Sequence, residues 1–128
     1  KKNRKCKMKL KEMLDNNLTT FTEVALTGSR TQRSDCHPWS CSPNIHFFRT
    51  ICGIQPLKAG FEKIQIAPHP GDLKFIDAAF THPKGEIIIN LKFDASEVKG
   101  EIVIPENMDA IFLWEGVSKK LKAGINTI

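Results

Sequence analysis

The sequence predicts a multidomain α and β chain, a helical portion followed by an antiparallel β-sandwich, within 128 residues. Three observations predict it. The hydrophobic period changes once, near Gly53, from helical spacing to alternation. Beyond Gly53, short apolar runs are separated by turn residues such as His82-Pro83-Lys84-Gly85. Before it, two helical stretches flank a long polar connection without any period.

The first element runs from about Lys5 to Asp15, with Cys6, Leu10, Met13 and Leu14 at helical spacing, and ends at Asn16-Asn17. Residues 18–41 form the connection. Ser42 is then expected as N-cap, Pro43 as the first helical residue and Gly53 as the C-terminal cap. Ile45, Phe47, Phe48, Ile51 and Cys52 spread round that helix, which is expected to be buried on most sides. His46 on it reads as structural. Two short helices cannot cover both faces of a sandwich, so the first 53 residues are expected to belong to a larger helical body.

The strands follow in order. Ile64 and Ile66 alternate with Lys63 and Gln65; Ile87, Ile89, Leu91 and Phe93 alternate with Ile88, Asn90 and Lys92. Ile102 and Ile104 stop at Pro105, Ala110 to Trp114 turns at Glu115-Gly116, and a last strand follows Ala123-Gly124. About seven strands fit one small sandwich. His69 and His82 fall in turns beside prolines and are expected at the surface, while Trp114 is expected in the core.

The net charge of +5 is local. Seven of the nineteen lysines and arginines precede the first acid, Glu12; beyond Lys11, fourteen acids outnumber twelve bases. No aromatic interleaves with the basic run, so it reads as a solvated helix face and no nucleic-acid partner is expected. No apolar run reaches the length of a membrane span. Cys6, Cys36, Cys41 and Cys52 are irregularly spaced and give neither a disulfide framework nor a zinc site; no metal and no cofactor are expected.

The densest chemistry lies in residues 33–40, where Arg33, Asp35, His37 and Trp39 surround Cys36 and Pro38. Guanidinium, carboxylate, imidazole and indole together suit a sugar cleft, the polar groups for hydroxyls and the aromatic for the C–H face of the ring. Each residue also has a plainer reading. Arg33 suits an ordinary exposed loop arginine, Asp35 can bond its own backbone, His37 can be a buried histidine satisfied by backbone, and Trp39 can pack at the helix entry. Ser40 and Ser42 make no nucleophile elbow with His37.

The flanks extend the pattern. Met13-Leu14-Asp15, Thr19-Thr20-Phe21-Thr22-Glu23, Ser34-Asp35-Cys36-His37-Pro38-Trp39, Gly53-Ile54-Gln55-Pro56-Leu57 with Gly60-Phe61, and Ile66-Ala67-Pro68-His69-Pro70-Gly71-Asp72-Leu73 stand in one ordered series. The series resembles the C-terminal end of bacterial α-L-rhamnosidases of glycoside hydrolase family 78, from about Met13 to Phe80 and less specifically to the end. That resemblance implies a partial α/α-barrel edge, two helices and a long loop, over residues 1–54 of the catalytic domain, and a C-terminal β-sandwich over 55–128. It implies hydrolysis of terminal α-L-rhamnosides with inversion by two carboxylates. The general base of a Thr-Thr-x-Trp-Glu-like segment corresponds to Glu23, with Thr22 where many members carry Trp. His37, Asp35, Trp39 and Arg33 become substrate-binding residues. The acidic stretch that carries the general acid is not in this sequence, so the chain alone is expected to be inactive, to need the remainder of the parent catalytic domain, and to self-associate through its helix faces. From the residues alone, Glu23 reads as an ordinary loop acid, solvated or capping a helix. The rival reading is a non-catalytic carbohydrate-binding or structural sandwich module; its aromatics, Phe75, Phe80, Phe93, Phe112 and Trp114, fall mostly at core-like alternation.

Overall fold

A computed structural model describes residues 11–23, 34–95 and 97–128. The basic run up to Leu10, the first half of the expected opening helix and Arg33 lie outside the described residues. The chain divides into two compact units, Lys1–Ile45 and His46–Ile128.

In the second unit, eight strands form two four-stranded sheets. They are β1 (Ile54–Pro56), β2 (Lys63–Ile66), β3 (Phe75–His82), β4 (Gly85–Asp94), β5 (Glu97–Ile104), β6 (Asp109–Trp114), β7 (Val117–Leu121) and β8 (Gly124–Thr127). One sheet has the order β1-β2-β6-β7 and the other β3-β4-β5-β8. Their inner faces share one core. Ile64, Ile66, Ala110, Phe112 and Leu121 from the first sheet join Ile76, Ile87, Ile89, Leu91, Phe93, Ile102 and Ile104 from the second. Eight isoleucines are among the buried residues. Their β-branched side chains suit a pleated face, and each contributes about 1.5–3 kcal/mol by burial. In β4 the alternation is as the sequence predicts, with Ile87, Ile89, Leu91 and Phe93 inward.

The sandwich is not wholly antiparallel. β2 pairs with β6 in parallel, Ile64 opposite Ala110 and Ile66 opposite Phe112. Between them the chain makes β3, β4 and β5 in the other sheet and returns running the same way. Alternation has the same period in either pairing, so it carries no sign of direction. The hairpins β3–β4, β4–β5 and β6–β7 each close with a two-residue turn, the flanking pairs being His82 with Gly85, Asp94 with Glu97, and Trp114 with Val117.

The helix before the sandwich differs from expectation at its start and in its burial. Helical structure begins at Pro38, not Pro43: a 3₁₀ turn Pro38–Cys41 with His37 as N-cap leads into an α-turn Ser42–His46 and a π-turn Phe47–Ile51. Both prolines meet the first-turn requirement of a fixed φ and a dispensable N–H, so sequence alone does not choose between them. Cys52 is buried in the sandwich core with Phe48 and Ile51 packed against it, while Ile45, His46 and Phe47 are exposed. The Cys52 N–H closes the last turn on the Phe47 carbonyl, and Gly53 follows with φ +72°.

Gly53 is needed for space as well as angle. A Cβ there would stand 1.9 Å from the Ala67 carbonyl oxygen, where Ala67 N–H donates to Gly53 O at 3.0 Å. His82, expected at the surface, is buried at the end of β3. The Pro83-Lys84 turn folds over it, and Lys84 N–H donates to its Nδ1 at 3.1 Å. Among the described residues its Nε2 has no partner.

The described part of the first unit holds a helical turn over residues 11–15 that ends as expected at Asn16-Asn17, with Asn17 at φ +52°. Met13 is buried there and Leu14 exposed.

Gly53→Ala is expected to lower stability by about 3 kcal/mol or more, adding backbone clash to the left-handed penalty. Gly60, at φ +68° with nothing within 4 Å of its Cβ position, isolates the angle alone, and Gly60→Ala should cost about 1–2 kcal/mol. Urea denaturation read by circular dichroism separates them, and equal costs would contradict the packing argument.

Burial also raises the Cys52 thiol from its ordinary 9.0 to about 11. The unfolded chain ionises first, so this contribution is whole below pH 9 and is lost as pH rises to about 11. The stability advantage of the wild type over Cys52→Ala should therefore shrink across that interval; an advantage constant with pH would contradict it.

Candidate functional site

The sequence-predicted site residues that are described lie in the first unit, on two segments far apart in the chain, 21–23 and 34–40. Backbone hydrogen bonds join them. Glu23 N–H donates to Ser34 O at 2.8 Å, and His37 N–H donates to Phe21 O at 2.7 Å. The Ser40 hydroxyl adds a third link, donating to Thr22 O at 2.8 Å. A long connection is thereby tied into a defined frame without regular secondary structure.

Within that frame each side chain has a position set by local geometry. The Ser34 N–H donates to Glu23 Oε2 at 3.3 Å, which aims the carboxylate along the 34–36 turn. Ser34 Oγ donates to Cys36 O at 3.1 Å and stands 3.3 Å from Cys36 N, so Ser34 organises the turn that presents Asp35. Pro38 starts the 3₁₀ turn just after His37, and Ser40 N–H closes it on His37 O at 2.9 Å. The His37 and Trp39 rings meet edge to face, centroids 6.5 Å apart.

Exposure sorts the residues by what they offer. Glu23 and Asp35 are exposed, His37 is half-buried and Trp39 is 87% exposed. Two carboxylates, an imidazole and an indole thus stand at or near the surface of the frame. Thr22 is completely buried, and its carbonyl carries the Ser40 bond, so it serves the frame and not the surface. Arg33 lies outside the described residues.

The sequence singled out the charged and aromatic members of this set but missed Ser34 and Ser40 as the residues that hold them. Ser40 acts through the Thr22 carbonyl, and Ser34 through the Glu23 N–H and carboxylate; no periodicity or spacing reports such bonds across the two segments.

Among the described residues Cys36, Cys41 and Cys52 are free thiols, and no three His, Cys, Asp or Glu side chains converge as a metal site needs. No described helix is long and apolar enough to cross a membrane.

Residues 53–123 match the family model of the bacterial alpha-L-rhamnosidase C-terminal domain. Among solved structures, the α-L-rhamnosidase of Dictyoglumus thermophilum is similar at 30% identity over 78% of this chain, with a TM-score of 0.65. That of Aspergillus terreus is similar in fold at 21% identity over 93%, TM-score 0.76. That of Streptomyces avermitilis, complexed with L-rhamnose, is similar in fold at 23% identity over 77%, TM-score 0.65. The matches span 12%, 15% and 10% of those chains. A search of curated proteins found no match.

Ser40→Ala removes the hydroxyl link of the frame to the Thr22 carbonyl, a loss of about 1 kcal/mol. Amide exchange at Glu23 and His37 should quicken several-fold while Ile89, in the sandwich, is unchanged. Unaltered exchange at both amides would show that the frame does not depend on Ser40.

Proposed function

The chain belongs to the bacterial α-L-rhamnosidase C-terminal domain family, and from that membership we propose that it is the C-terminal portion of an inverting glycoside hydrolase. The parent enzyme hydrolyses terminal α-L-rhamnosides. The observation that carries this reading is the family match over residues 53–123, preceded in the chain by the hydrogen-bonded frame that presents Glu23.

In this reading residues 1–54 are the last edge of an α/α-barrel catalytic domain and residues 55–128 its trailing sandwich. Support comes from the first unit's exposed apolar side chains, Leu14 at 76%, Trp39 at 87% and Ile45 at 64%, which the remainder of the barrel would cover. Without that cover they favour self-association. A rhamnose-containing oligosaccharide or glycoside is the substrate.

The chemistry needs no cofactor. Glu23 takes a proton from a water that attacks the anomeric carbon on the face opposite the leaving group. As the new C–O bond forms, the glycosidic C–O bond breaks, and a general acid elsewhere in the parent protonates the departing oxygen. The carboxyl groups of such a pair stand about 6.5–9.5 Å apart, which leaves room for the water. Trp39 takes the C–H face of the sugar; His37 and Asp35, with Arg33, take its hydroxyls. Ser34 keeps the base carboxylate in place.

Two measurements test this. Glu23→Gln in the full-length parent should cut turnover at least about a hundredfold with affinity nearly unchanged, because the amide keeps size but accepts no proton. Retention of more than about a tenth of wild-type turnover, outside the usual cost of a lost base, would move the assignment to Asp35. The 128-residue chain alone should release no p-nitrophenol from p-nitrophenyl α-L-rhamnoside; release would mean that both acid and base lie within it.

A further inference from the structure

A recess lies entirely within the sandwich unit, far along the chain from Glu23. It has a volume of about 690 Å³ and is bounded by the segments 67–74, 93–95 and 113–116. Its apolar wall is Leu73, Phe93 and Trp114, and its polar wall is His69, Lys74 and Glu115. That volume is in the range of small-molecule sites, and the composition, an apolar surface with a few converging polar groups, is what such sites use.

The apolar wall is rigid. Trp114 is half-buried, and its ring stands 5.3 Å from that of Phe93, which belongs to the core. Phe93 is fixed in turn by its N–H, which donates to Lys74 O at 2.9 Å. Leu73 N–H closes the rim turn on Pro70 O at 3.1 Å, leaving the Leu73 side chain 47% exposed beside the recess. The polar wall is open for use. Among the described residues the His69 imidazole, the Lys74 ammonium and the Glu115 carboxylate make no side-chain hydrogen bond or ion pair.

Glu115 sits at a position that its backbone does not favour. It is the first residue of the two-residue β6–β7 turn, with φ +46°, followed by Gly116 at +80°. Such turns favour Asn or Asp before Gly, and a longer side chain in this conformation carries a strain of about 1–2 kcal/mol. The strain sets a carboxylate at the rim of the recess, opposite in charge to Lys74.

We propose that this recess is a saccharide-binding subsite, separate from the site around Glu23, that takes the ring of a neutral pyranoside. The C–H face lies on Trp114 and Leu73. Glu115 accepts from vicinal hydroxyls, and Lys74 and His69 donate to others or to the ring oxygen. One cation and one carboxylate cancel, so a phosphorylated or otherwise anionic ligand gains little, whereas a neutral polyol uses both. This goes beyond the catalytic reading and stands or falls independently of it, because no residue is shared.

A pyranoside has about a dozen heavy atoms, and ordinary ligand efficiency then gives a dissociation constant on the order of 1 mM. The test is a two-dimensional NMR titration of the 128-residue chain with methyl α-L-rhamnopyranoside. Sorbitol serves as a polyol without a ring face. Saturable shifts are expected at the Trp114 indole, the Leu73 methyls and the Glu115 and Gly116 amides, with none from sorbitol at the same concentration. Glu115→Asn relieves the turn, so that variant should fold with equal or greater stability and bind at least tenfold more weakly. The proposal is overturned if the rhamnoside gives no saturable shift, if its shifts fall instead around Glu23 and His37, if sorbitol binds equally, or if Glu115→Asn binds as the wild type does.

Discussion

Everything in the second unit depends on the closure of two sheets over a shared isoleucine-rich layer. Ile64 and Ile66 from one sheet and Ile87, Ile89, Ile102 and Ile104 from the other are essentially inaccessible. Once those inward faces are fixed, each strand's register follows, since a one-residue slip would bring the polar set inside. The turns are consequences. Two residues are left to reverse each of the three hairpins, and in two of them the chain takes left-handed conformations, at Ala95 and at Glu115 and Gly116. The same layer holds Phe93, and through it Trp114, so the aromatic wall of the recess is built on the core.

The first unit is held in a different way. Apart from buried Met13 and Thr22, its described residues are exposed or half-buried. What fixes them is a small number of hydrogen bonds between the 21–23 and 34–40 segments. Net of solvent competition each such bond is worth about 1 kcal/mol, less than one buried isoleucine. Such a frame can orient a carboxylate and an indole, but it offers little apolar burial of its own. That is the condition expected of a catalytic edge completed by the rest of a barrel, and it agrees with the proposed place of this unit in the parent enzyme.

The sequence made the sandwich legible where alternation was strong and the side chains large. β4 is the clearest case, and the helix stop at Asn16-Asn17 and the left-handed Gly53 were readable from residue type. Direction was not readable: the parallel β2–β6 pair has the same alternation as an antiparallel one. Burial of His82 was missed because a Pro-Lys-Gly turn marks a reversal without telling which neighbour it folds over. The start of the helix was misplaced because Pro38 and Pro43 carry the same signal. The candidate site was legible in its chemical groups, Glu23, Asp35, His37 and Trp39, and hidden in its supports. Ser34 and Ser40 bond across to Glu23 and Thr22 of the other segment, which leaves no mark on local composition. Trp114 was read as core; its packing on Phe93 bears that out in part, and its other side borders the recess.

The central claim is that Glu23, held by the 34–40 segment, activates a water for single displacement at the anomeric carbon. Proton NMR of the first product formed by the full-length parent from an α-L-rhamnoside tests it most directly, because the anomers are distinguishable before they equilibrate. Single displacement with a general base releases β-L-rhamnose first. Initial release of the α anomer would require a covalent glycosyl-enzyme intermediate and a carboxylate nucleophile, and would contradict the role assigned to Glu23.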